Sequence, residues 1–420
     1  MTSQLILANG FGAAVASDSA STLGATRKKP RTYETAEKIH PLGDPHRLAA
    51  LHNDAVHLLG MPVGVLIDEW KASLGSRLQS VEGYRDSFLT WLGDNLDNWS
   101  TSVDREWNSF ESLDRRLWQM ARSVEEEVES VAEALRHGTA LTVVRETNEM
   151  LESWEPNDSR LKDMADDILA RWGAEGEEGI PSFRSRIEHW FGGLPRSAEI
   201  DQEIERFIRL TVEGGYEFPS DAFTEVTFVG YGQKEMFPSA ASVRIFGAVG
   251  PHVARILLPP VLAEPNGSSY SLILPLAQRD VIDQVLTGLH TPMTRHAADM
   301  TVERLAGVHS DPEVSPQEPV PLGVPEGGVA ESIRNELMVD LMKVSRDNFL
   351  DPALATVAGM PLGSLAEMAG ALIAVQNLAL DIRGELPTVG GNIDVGTITL
   401  SDGFTWVNHK GRTLDPMEKL

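Results

Sequence analysis

Cysteine is absent from this chain, which excludes disulfides, cysteine nucleophiles and thiolate metal sites. Long apolar runs are absent too: none reaches the roughly 18 uninterrupted apolar residues that indicate a transmembrane helix, so we expect no membrane span. The first residues carry neither a basic segment nor a long apolar one, and we therefore expect no secretory signal. These absences predict a cytoplasmic protein.

Basic residues are scarce. The chain has 36 Lys and Arg against 62 Asp and Glu, a formal charge of −26, and such a surface repels nucleic acids and anionic membranes. We interpret the one basic run, residues 27–31, as a solvated loop. No glycine-rich nucleotide loop is present, so any ATP-driven unfolding would need a separate ATPase partner. His52 and His57 do not have the spacing of a metal-binding helix, and we expect no metal and no cofactor.

The first 75 residues carry clear strand and turn signals. We expect a strand over residues 3–8, a tight turn at Asn9-Gly10 and a second strand over 11–17. The residues of the second strand are small and mostly apolar, which is typical of a strand buried on both faces. A third strand is predicted over 47–55. A helix should follow from Pro62, because apolar residues then recur at helical spacing.

Residues 76–215 differ in character. They are rich in charge and carry seven of the nine tryptophans, with apolar residues three and four positions apart. We interpret them as a bundle of amphipathic helices in which the tryptophans pack as core. A thin apolar stripe such as Val128, Val131 and Leu135 needs a cover, either from the bundle itself or from a neighbouring subunit.

The rest of the chain returns to short strands and apolar helices. The predicted elements are strands over 225–230, 242–247 and 271–274, a helix over 280–288, a proline-rich linker over 310–328, helices over 329–345 and 363–383, and a hairpin of strands over 393–400 and 404–408.

Three residues could form a nucleophilic site at the start of the chain. Removal of Met1, which methionine aminopeptidases perform before a small residue, would give Thr2 a free α-amine beside its hydroxyl. An α-amine has a pKa of about 7.7 to 8.0, so a neutral fraction can take the hydroxyl proton. The hairpin should return Asp18 to the level of Thr2. A nearby Lys38 would favour the ionised nucleophile.

The spacing of these residues resembles that of proteasome β-subunits and the bacterial HslV protease subunit, which are N-terminal nucleophile (Ntn) hydrolases. In that family a mature N-terminal threonine is followed sixteen residues later by Asp-Ser-x-x-Thr-x-Gly. Here Asp18 follows Thr2 at that distance, and Ser19, Thr22 and Gly24 also match. The family's lysine stands before an aliphatic residue, as Lys38 does before Ile39.

The resemblance implies an α+β fold, the four-layer αββα Ntn sandwich, with a large helical insertion. It implies Thr2 as nucleophile, Asp18 and Lys38 as its supports, Asn53 as a backbone oxyanion donor and Thr22 as a backbone contact to a bound peptide. A peptide or protein substrate and a homo-oligomer follow from it. The expected division is 1–75, first part of the sandwich; 76–215, helical insertion; 216–290, central strands and helix; 291–345, linker and helix; 346–420, final helix and hairpin.

The chain also departs from the family. A serine expected in a Gly-Ser-Gly turn near the nucleophile is replaced by Pro275-Leu276-Ala277-Gln278. The family's Asp and Ser before a late glycine pair have no clear counterpart in residues 385–389. The favoured function is a threonine-type peptidase that acts through an acyl-enzyme. A small-molecule amidase, or a catalytically silent assembly or binding module, are the alternatives.

Overall fold

A computed structural model describes most of the chain. The described residues are 2–23, 31–33, 36–153, 182–213, 223–249, 252–262, 265–266, 269–290, 293–298, 300, 328–383 and 390–413. Residues 310–327 of the proline-rich linker, most of the basic run and residues 385–389 lie outside the described residues.

The strands confirm the hairpin-rich pattern that the sequence predicts. They are β1 (Ser3–Asn9), β2 (Gly12–Asp18), β3 (Ser21–Leu23), β4 (Arg31–Tyr33), β5 (Ile39–Pro41), β6 (Arg47–Asp54), β7 (His57–Leu58), β8 (Met61–Pro62), β9 (Thr224–Tyr231), β10 (Ser239–Val249), β11 (His252–Leu257), β12 (Val261–Leu262), β13 (Pro265–Asn266), β14 (Ser269–Ala277), β15 (Ile393–Thr399), β16 (Gly403–His409) and β17 (Arg412–Thr413).

Most of the principal helices fall where apolar periodicity predicts them, but the helix over Asp351–Gly359 was not predicted. They are α1 (Val63–Ser73), α2 (Val81–Asp94), α3 (Leu96–Trp99), α4 (Ser102–Glu129), α5 (Arg136–Glu152), α6 (Phe183–Phe191), α7 (Ala198–Glu213), α8 (Asp280–Thr287), α9 (Gly328–Ser345), α10 (Asp351–Gly359) and α11 (Leu362–Arg383). A π-helical turn, Arg346–Leu350, joins α9 to α10.

The chain divides into two compact units. The first comprises residues 1–49, 234–239 and 261–420, and the second comprises residues 50–233 and 240–260. Both combine helices with antiparallel sheet, so the protein is a mixed helix-and-sheet fold of the α+β kind.

The first unit is built on a sheet with the strand order β13-β14-β1-β2-β15-β16-β17. Neighbouring strands in this order pair antiparallel. Residues Leu5 and Leu7 of β1 and Ala14 and Ala16 of β2 point to one face, where they share a buried cluster with apolar residues of α8, α10 and α11. The alternate residues of both strands are buried as well, which confirms the prediction of a strand buried on both faces.

Helix α11 is long and apolar enough, by length and composition alone, to cross a membrane. It packs against β1, β2 and β15. Its buried residues include Leu365, Ala369, Ile373 and Leu380. The core helix of a folded domain can be as long and as apolar as a membrane-spanning helix. We therefore interpret α11 as the core helix of this unit, since it packs on the sheet.

The first hairpin turns one residue later than the sequence predicts. Asn9 pairs with Gly12, so the two loop residues are Gly10 and Phe11. Asn9 is instead the last residue of β1, and its buried side-chain amide donates to the carbonyls of Val357 and Met360, both at 2.8 Å. These bonds satisfy carbonyls at the end of α10, which explains why the asparagine lies in the sheet rather than in the turn.

The second unit contains the predicted helical bundle and strands in the order β11-β10-β9-β6. Long helix α4 begins with a capping box between Thr101 and Asp104. It packs with α5, α6 and α7 around a cluster that includes Val128, Phe191 and Phe207. The apolar residue Val128 is thus covered within its own unit. Leu135, in contrast, is exposed.

Candidate functional site

The carboxylate of Asp18 is the centre of the site. Gln4 pairs with Ser17 across the first hairpin, and this register sets Asp18 opposite the start of β1. Its Oδ1 accepts the backbone N–H of Ser3 at 2.9 Å. Its Oδ2 accepts the backbone N–H groups of Ala20 at 3.3 Å and Gly390 at 3.0 Å. A buried carboxylate needs such donors to offset its lost hydration.

Lys38 completes the coordination of Asp18. Its Nζ donates to Asp18 Oδ1 at 2.8 Å, and the Lys38 and Asp18 side chains are 4% and 0% exposed. Burial lowers the pKa of the Lys38 ammonium from the ordinary value of 10.5, attraction to Asp18 opposes that shift, and repulsion from Lys410 adds to it. The structure therefore brings together two of the three residues that the sequence singles out.

Thr2 is the residue before Ser3, whose backbone N–H binds Asp18. It is 5% exposed, and its carbonyl accepts the backbone N–H of Gln278 at 2.9 Å. Its neighbour Ser3 donates to Asp18, as described above. The proximity of the Thr2 hydroxyl to Lys38 remains a prediction, whereas the contact of Asp18 with the residue that follows Thr2 is observed.

Gln278 occupies the place where the resemblance led us to expect a serine. Ala277 before it has a φ of 58°, an uncommon conformation for a residue with a Cβ. The side-chain oxygen Oε1 of Gln278 is buried and accepts no hydrogen bond from the described residues. A buried acceptor of this kind, beside the backbone of Thr2, could receive a proton donor such as an α-amine.

An outer ion pair lies behind Lys38. The Nζ of Lys410 donates to Asp394 Oδ2 at 2.8 Å and to the carbonyl of Ala36 at 2.8 Å. The backbone N–H of Lys410 donates to the other oxygen of Asp394 at 2.7 Å. Glu37 lies at the edge of this group, with its Oε2 3.5 Å from Lys410 Nζ and 3.3 Å from His409 Nε2.

The same group contains the metal-type constellation found among the described residues. Glu37, Asp394 and His409 each place one ligand atom within 4.8 Å of the others. The ammonium of Lys410 already lies on Asp394 and near Glu37, so a cation of the protein itself occupies the position that a metal would take. We assign these residues to an ion-pair network rather than to a metal centre.

The other predicted site residues have different positions. Thr22 lies in β3 and pairs with Thr32 of β4. Asn53 is buried in β6 and belongs to the second unit, so its role as an oxyanion donor stays a prediction. His52 is buried in β6, whereas His57 is exposed in β7.

The sequence reasoning missed Asp394 and Lys410, and it gave no role to Gly390 or Gln278. A signal existed for Asp394, because a lone carboxylate stands in an otherwise uncharged strand. Lys410-Gly411 also resembles a two-residue turn. No local pattern could reveal that Asp394 and Lys410 meet near Lys38, since they lie more than three hundred positions away in the sequence.

A groove of about 790 Å³ lies elsewhere, between α4 and α5, and is lined by residues that include Glu126, Glu127, Thr139 and Glu146. None of the predicted catalytic residues lines it. Its open, acidic walls hold no cluster of convergent nucleophilic or basic groups among the described residues, and we do not regard it as the catalytic site.

Comparison with known proteins leaves the site to be interpreted from its own geometry. No protein-family model matches the chain. No curated protein shows significant sequence similarity to it.

Proposed function

We propose that this chain is an N-terminal threonine hydrolase that cleaves amide bonds, with a peptide or protein as its substrate. The observation that carries the proposal is the buried contact between Lys38 and Asp18, made while Asp18 holds the backbone N–H of Ser3. An ammonium fixed beside the residue that follows Thr2 would favour the ionised form of a Thr2 hydroxyl.

The proposed reaction requires Thr2 to be the first residue. The Thr2 Oγ1 forms a bond to the substrate carbonyl carbon while its proton passes to the Thr2 α-amine. Collapse of the tetrahedral intermediate breaks the C–N bond, and the leaving amine takes that proton. Water then attacks the ester, which releases the acid and restores the Thr2 hydroxyl.

The proposed fold is the αββα Ntn sandwich with a helical insertion. The antiparallel sheet of the first unit, its central strands buried on both faces and a helical layer on one face are consistent with half of such a sandwich. The helical bundle inside residues 50–233 is consistent with an insertion. A cytoplasmic homo-oligomer that receives substrate from a separate ATPase belongs to the same proposal.

A second candidate is a catalytically silent module that retains the fold for assembly or binding. The observation that favours it is the residue beside Thr2, where Gln278 replaces the serine expected from the resemblance. The completely bonded Asp18 and the buried Lys38 weigh against it, because a buried ion pair is costly to keep without a role.

The test is covalent trapping. The purified protein is first weighed intact to establish that Met1 has been removed, then incubated with a peptide epoxyketone or β-lactone, and the adduct is mapped by mass spectrometry. One adduct on Thr2, absent from Thr2→Ala, supports the proposal. A processed chain that takes no adduct supports the silent module, and an adduct at another residue shows that the nucleophile lies elsewhere.

A further inference from the structure

The loop that joins β16 to β17 contains a lysine in an unusual conformation. His409 pairs with Arg412, so Lys410 and Gly411 are the two residues of a tight turn, with φ of 52° and 75°. Turns with two positive φ values favour Asn-Gly or Gly-Gly, because a Cβ is disfavoured in the left-handed region. A lysine held there indicates that its contacts compensate for the conformation.

Those contacts converge on the segment that carries Lys38. Lys410 uses its backbone N–H and its Nζ to bind both oxygens of Asp394. The same Nζ donates to the carbonyl of Ala36, and the N–H of Ala36 donates to the carbonyl of Ser19 at 3.0 Å. Ala36, two positions before Lys38, is thus held at its N–H by Ser19, the residue after β2, and at its C=O by Lys410.

Asp394 provides the rigid end of this connection. It lies in β15 opposite Ser17, one register position from the pair between Ile393 and Asp18. Its side chain is 3% exposed. The strand that carries Asp394 is therefore the neighbour of the strand that carries Asp18. Ala36 is attached to this sheet through Lys410 and Asp394, and Lys38 is attached to it through Asp18.

From this geometry we propose that Lys410, paired with Asp394, is a positioning residue that holds the Ala36–Lys38 segment so that the Lys38 ammonium remains on Asp18. The inference rests on the proposed function only for its catalytic consequence; the structural coupling can be measured without hydrolysis.

The charges around Lys38 make the coupling measurable. Asp18 on β2 and Asp394 on β15 attract the Lys38 ammonium, and Lys410 repels it. Glu37 and His409 lie beside Lys410. In a segment that stays in place, loss of the Lys410 charge raises the pKa of Lys38, since it removes a repulsion and leaves Asp394 unneutralised, and loss of the Asp394 charge lowers it for the opposite reason. In a segment that is released, Lys38 becomes hydrated, and its pKa rises towards the ordinary value of 10.5 after either change.

The experiment is NMR titration of lysine labelled with ¹³C at Cε, in the full-length protein after Met1 removal. Lys38 is assigned with Lys38→Met. Because either change releases the segment, we expect both Lys410→Met and Asp394→Asn to raise the pKa of Lys38, each by roughly half a unit or more. Lys410→Arg should stay close to the parent value, and exposed Lys343→Met, the matched control, should change nothing.

A role through charge alone gives a different result. If the segment stayed in place, Lys410→Met would raise the pKa of Lys38 and Asp394→Asn would lower it. A lowered pKa in Asp394→Asn, or no shift in a folded variant, would overturn the proposal. Should one single variant fail to fold, the double variant Lys410→Met/Asp394→Asn leaves no unpaired buried charge. Its Lys38 pKa should also rise above the parent value, and an unchanged value would contradict the proposal.

The catalytic consequence is measured separately, as the rate of Thr2 modification by a β-lactone. We expect Lys410→Met to lower the maximal rate about tenfold with little change in the half-saturating concentration, and Lys410→Arg to restore most of it. An unchanged maximal rate would overturn the catalytic part. If the parent protein takes no adduct, the proposed function fails, while the NMR titration still decides whether Lys410 positions Lys38.

Discussion

Lys38 and Asp18 form a buried ion pair in which Nζ lies 2.8 Å from Oδ1, and the same oxygen accepts the backbone N–H of Ser3 at 2.9 Å. A buried pair is strongly destabilised when one partner is removed, because the other charge remains without water or a counter-charge. The pair therefore affects both the stability of the first hairpin and any chemistry at Thr2. A variant that is tested for activity must also be tested for folding.

Replacement of Lys38 should separate these two effects. Lys38→Ala removes the ammonium that binds Asp18, and we expect the rate of Thr2 acylation to fall at least a hundredfold, equivalent to about 3 kcal/mol in the barrier. The rate is measured with a fluorogenic peptide or a β-lactone. The double variant Lys38→Ala/Asp18→Asn, which leaves no buried charge, serves as the folding control, and exposed Lys234→Ala should retain full rate. A Lys38→Ala protein that is folded and fully active would contradict the catalytic assignment.

Thr2 itself should matter for activity and little for stability. Thr2→Ala removes one hydroxyl just before β1 that makes no hydrogen bond with the described residues, so we expect hydrolysis to be abolished and the melting temperature to change little. Thr2→Ser keeps a hydroxyl nucleophile and is the matched control, which should retain measurable activity. Hydrolysis by purified Thr2→Ala at the parent rate would place the nucleophile elsewhere.

The rate of hydrolysis should rise and then fall with pH, and the burial of Lys38 should determine where it falls. The α-amine of Thr2 must be neutral, so the rate rises through about 7.7 to 8.0. Lys38 must be charged, and burial lowers its pKa from 10.5, so the rate falls again at a pH below 10.5. Lys38→Arg keeps the charge at all accessible pH values, and the alkaline decline should disappear in that variant. An alkaline decline that persists unchanged would assign the titration to another group.

The sequence predicted the hairpin and the terminal strands, because these depend on local patterns and on the level at which a short hairpin returns. The resemblance implied Asp18 and Lys38 as supports of Thr2, and the structure brings those two side chains together. It misplaced the first turn, since Asn-Gly favours a turn locally while the Asn9 side chain binds the end of α10, more than three hundred residues away. Packing between distant segments decided that conflict.

Local sequence patterns could not predict the ion pair of Lys410 with Asp394 either, because it also depends on packing between distant segments. Lys410 reads as a solvated turn residue, and only the adjacency of β15 to β2 brings it to Ala36. Helix α10 was also missed, because residues 351–359 carry little amphipathic pattern and are mostly exposed or half-buried. The division of the chain into 76–215 and flanking sandwich segments remains a prediction.

Gln376 of α11 provides a test of the helical layer in the first unit. Its buried Oε1 accepts the backbone N–H groups of Val281 and Ile282 at 3.0 and 3.2 Å. It thereby caps the first turn of α8, whose own N-cap residue supplies no side-chain acceptor. Gln376→Leu would leave both groups unsatisfied, and we expect the free energy of unfolding to fall by about 2 kcal/mol.

Urea unfolding followed by circular dichroism measures this loss. Exposed Gln284→Leu, on α8 itself, is the matched control and should shift the midpoint little. Equal midpoints for Gln376→Leu and the parent protein would show that water replaces the cap without cost.

The exposed face of α11 bears on assembly. Val375, Leu378 and Ile382 are 43%, 59% and 77% exposed, and their spacing of three and four places them in one stripe along the helix. The opposite face of α11 packs on the sheet. Solvent-exposed apolar stripes of this kind mark contacts between proteins. The bundle residue Val128, by contrast, is covered within its own unit, so α11 is the better place for a subunit contact.

We therefore expect a homo-oligomer in solution that depends on this stripe. Multi-angle light scattering at micromolar concentration should give a mass of several chains for the parent protein. The pair of changes Leu378→Asp and Ile382→Asp places charge on the stripe without touching the buried face, and the mass should fall to that of one chain. Phe11→Asp, at an apolar residue that is 64% exposed in the first turn, is the control and should leave the mass unchanged. A parent protein that is monomeric under these conditions would exclude a stable ring. An oligomer that survives the double change would place the contact on another surface.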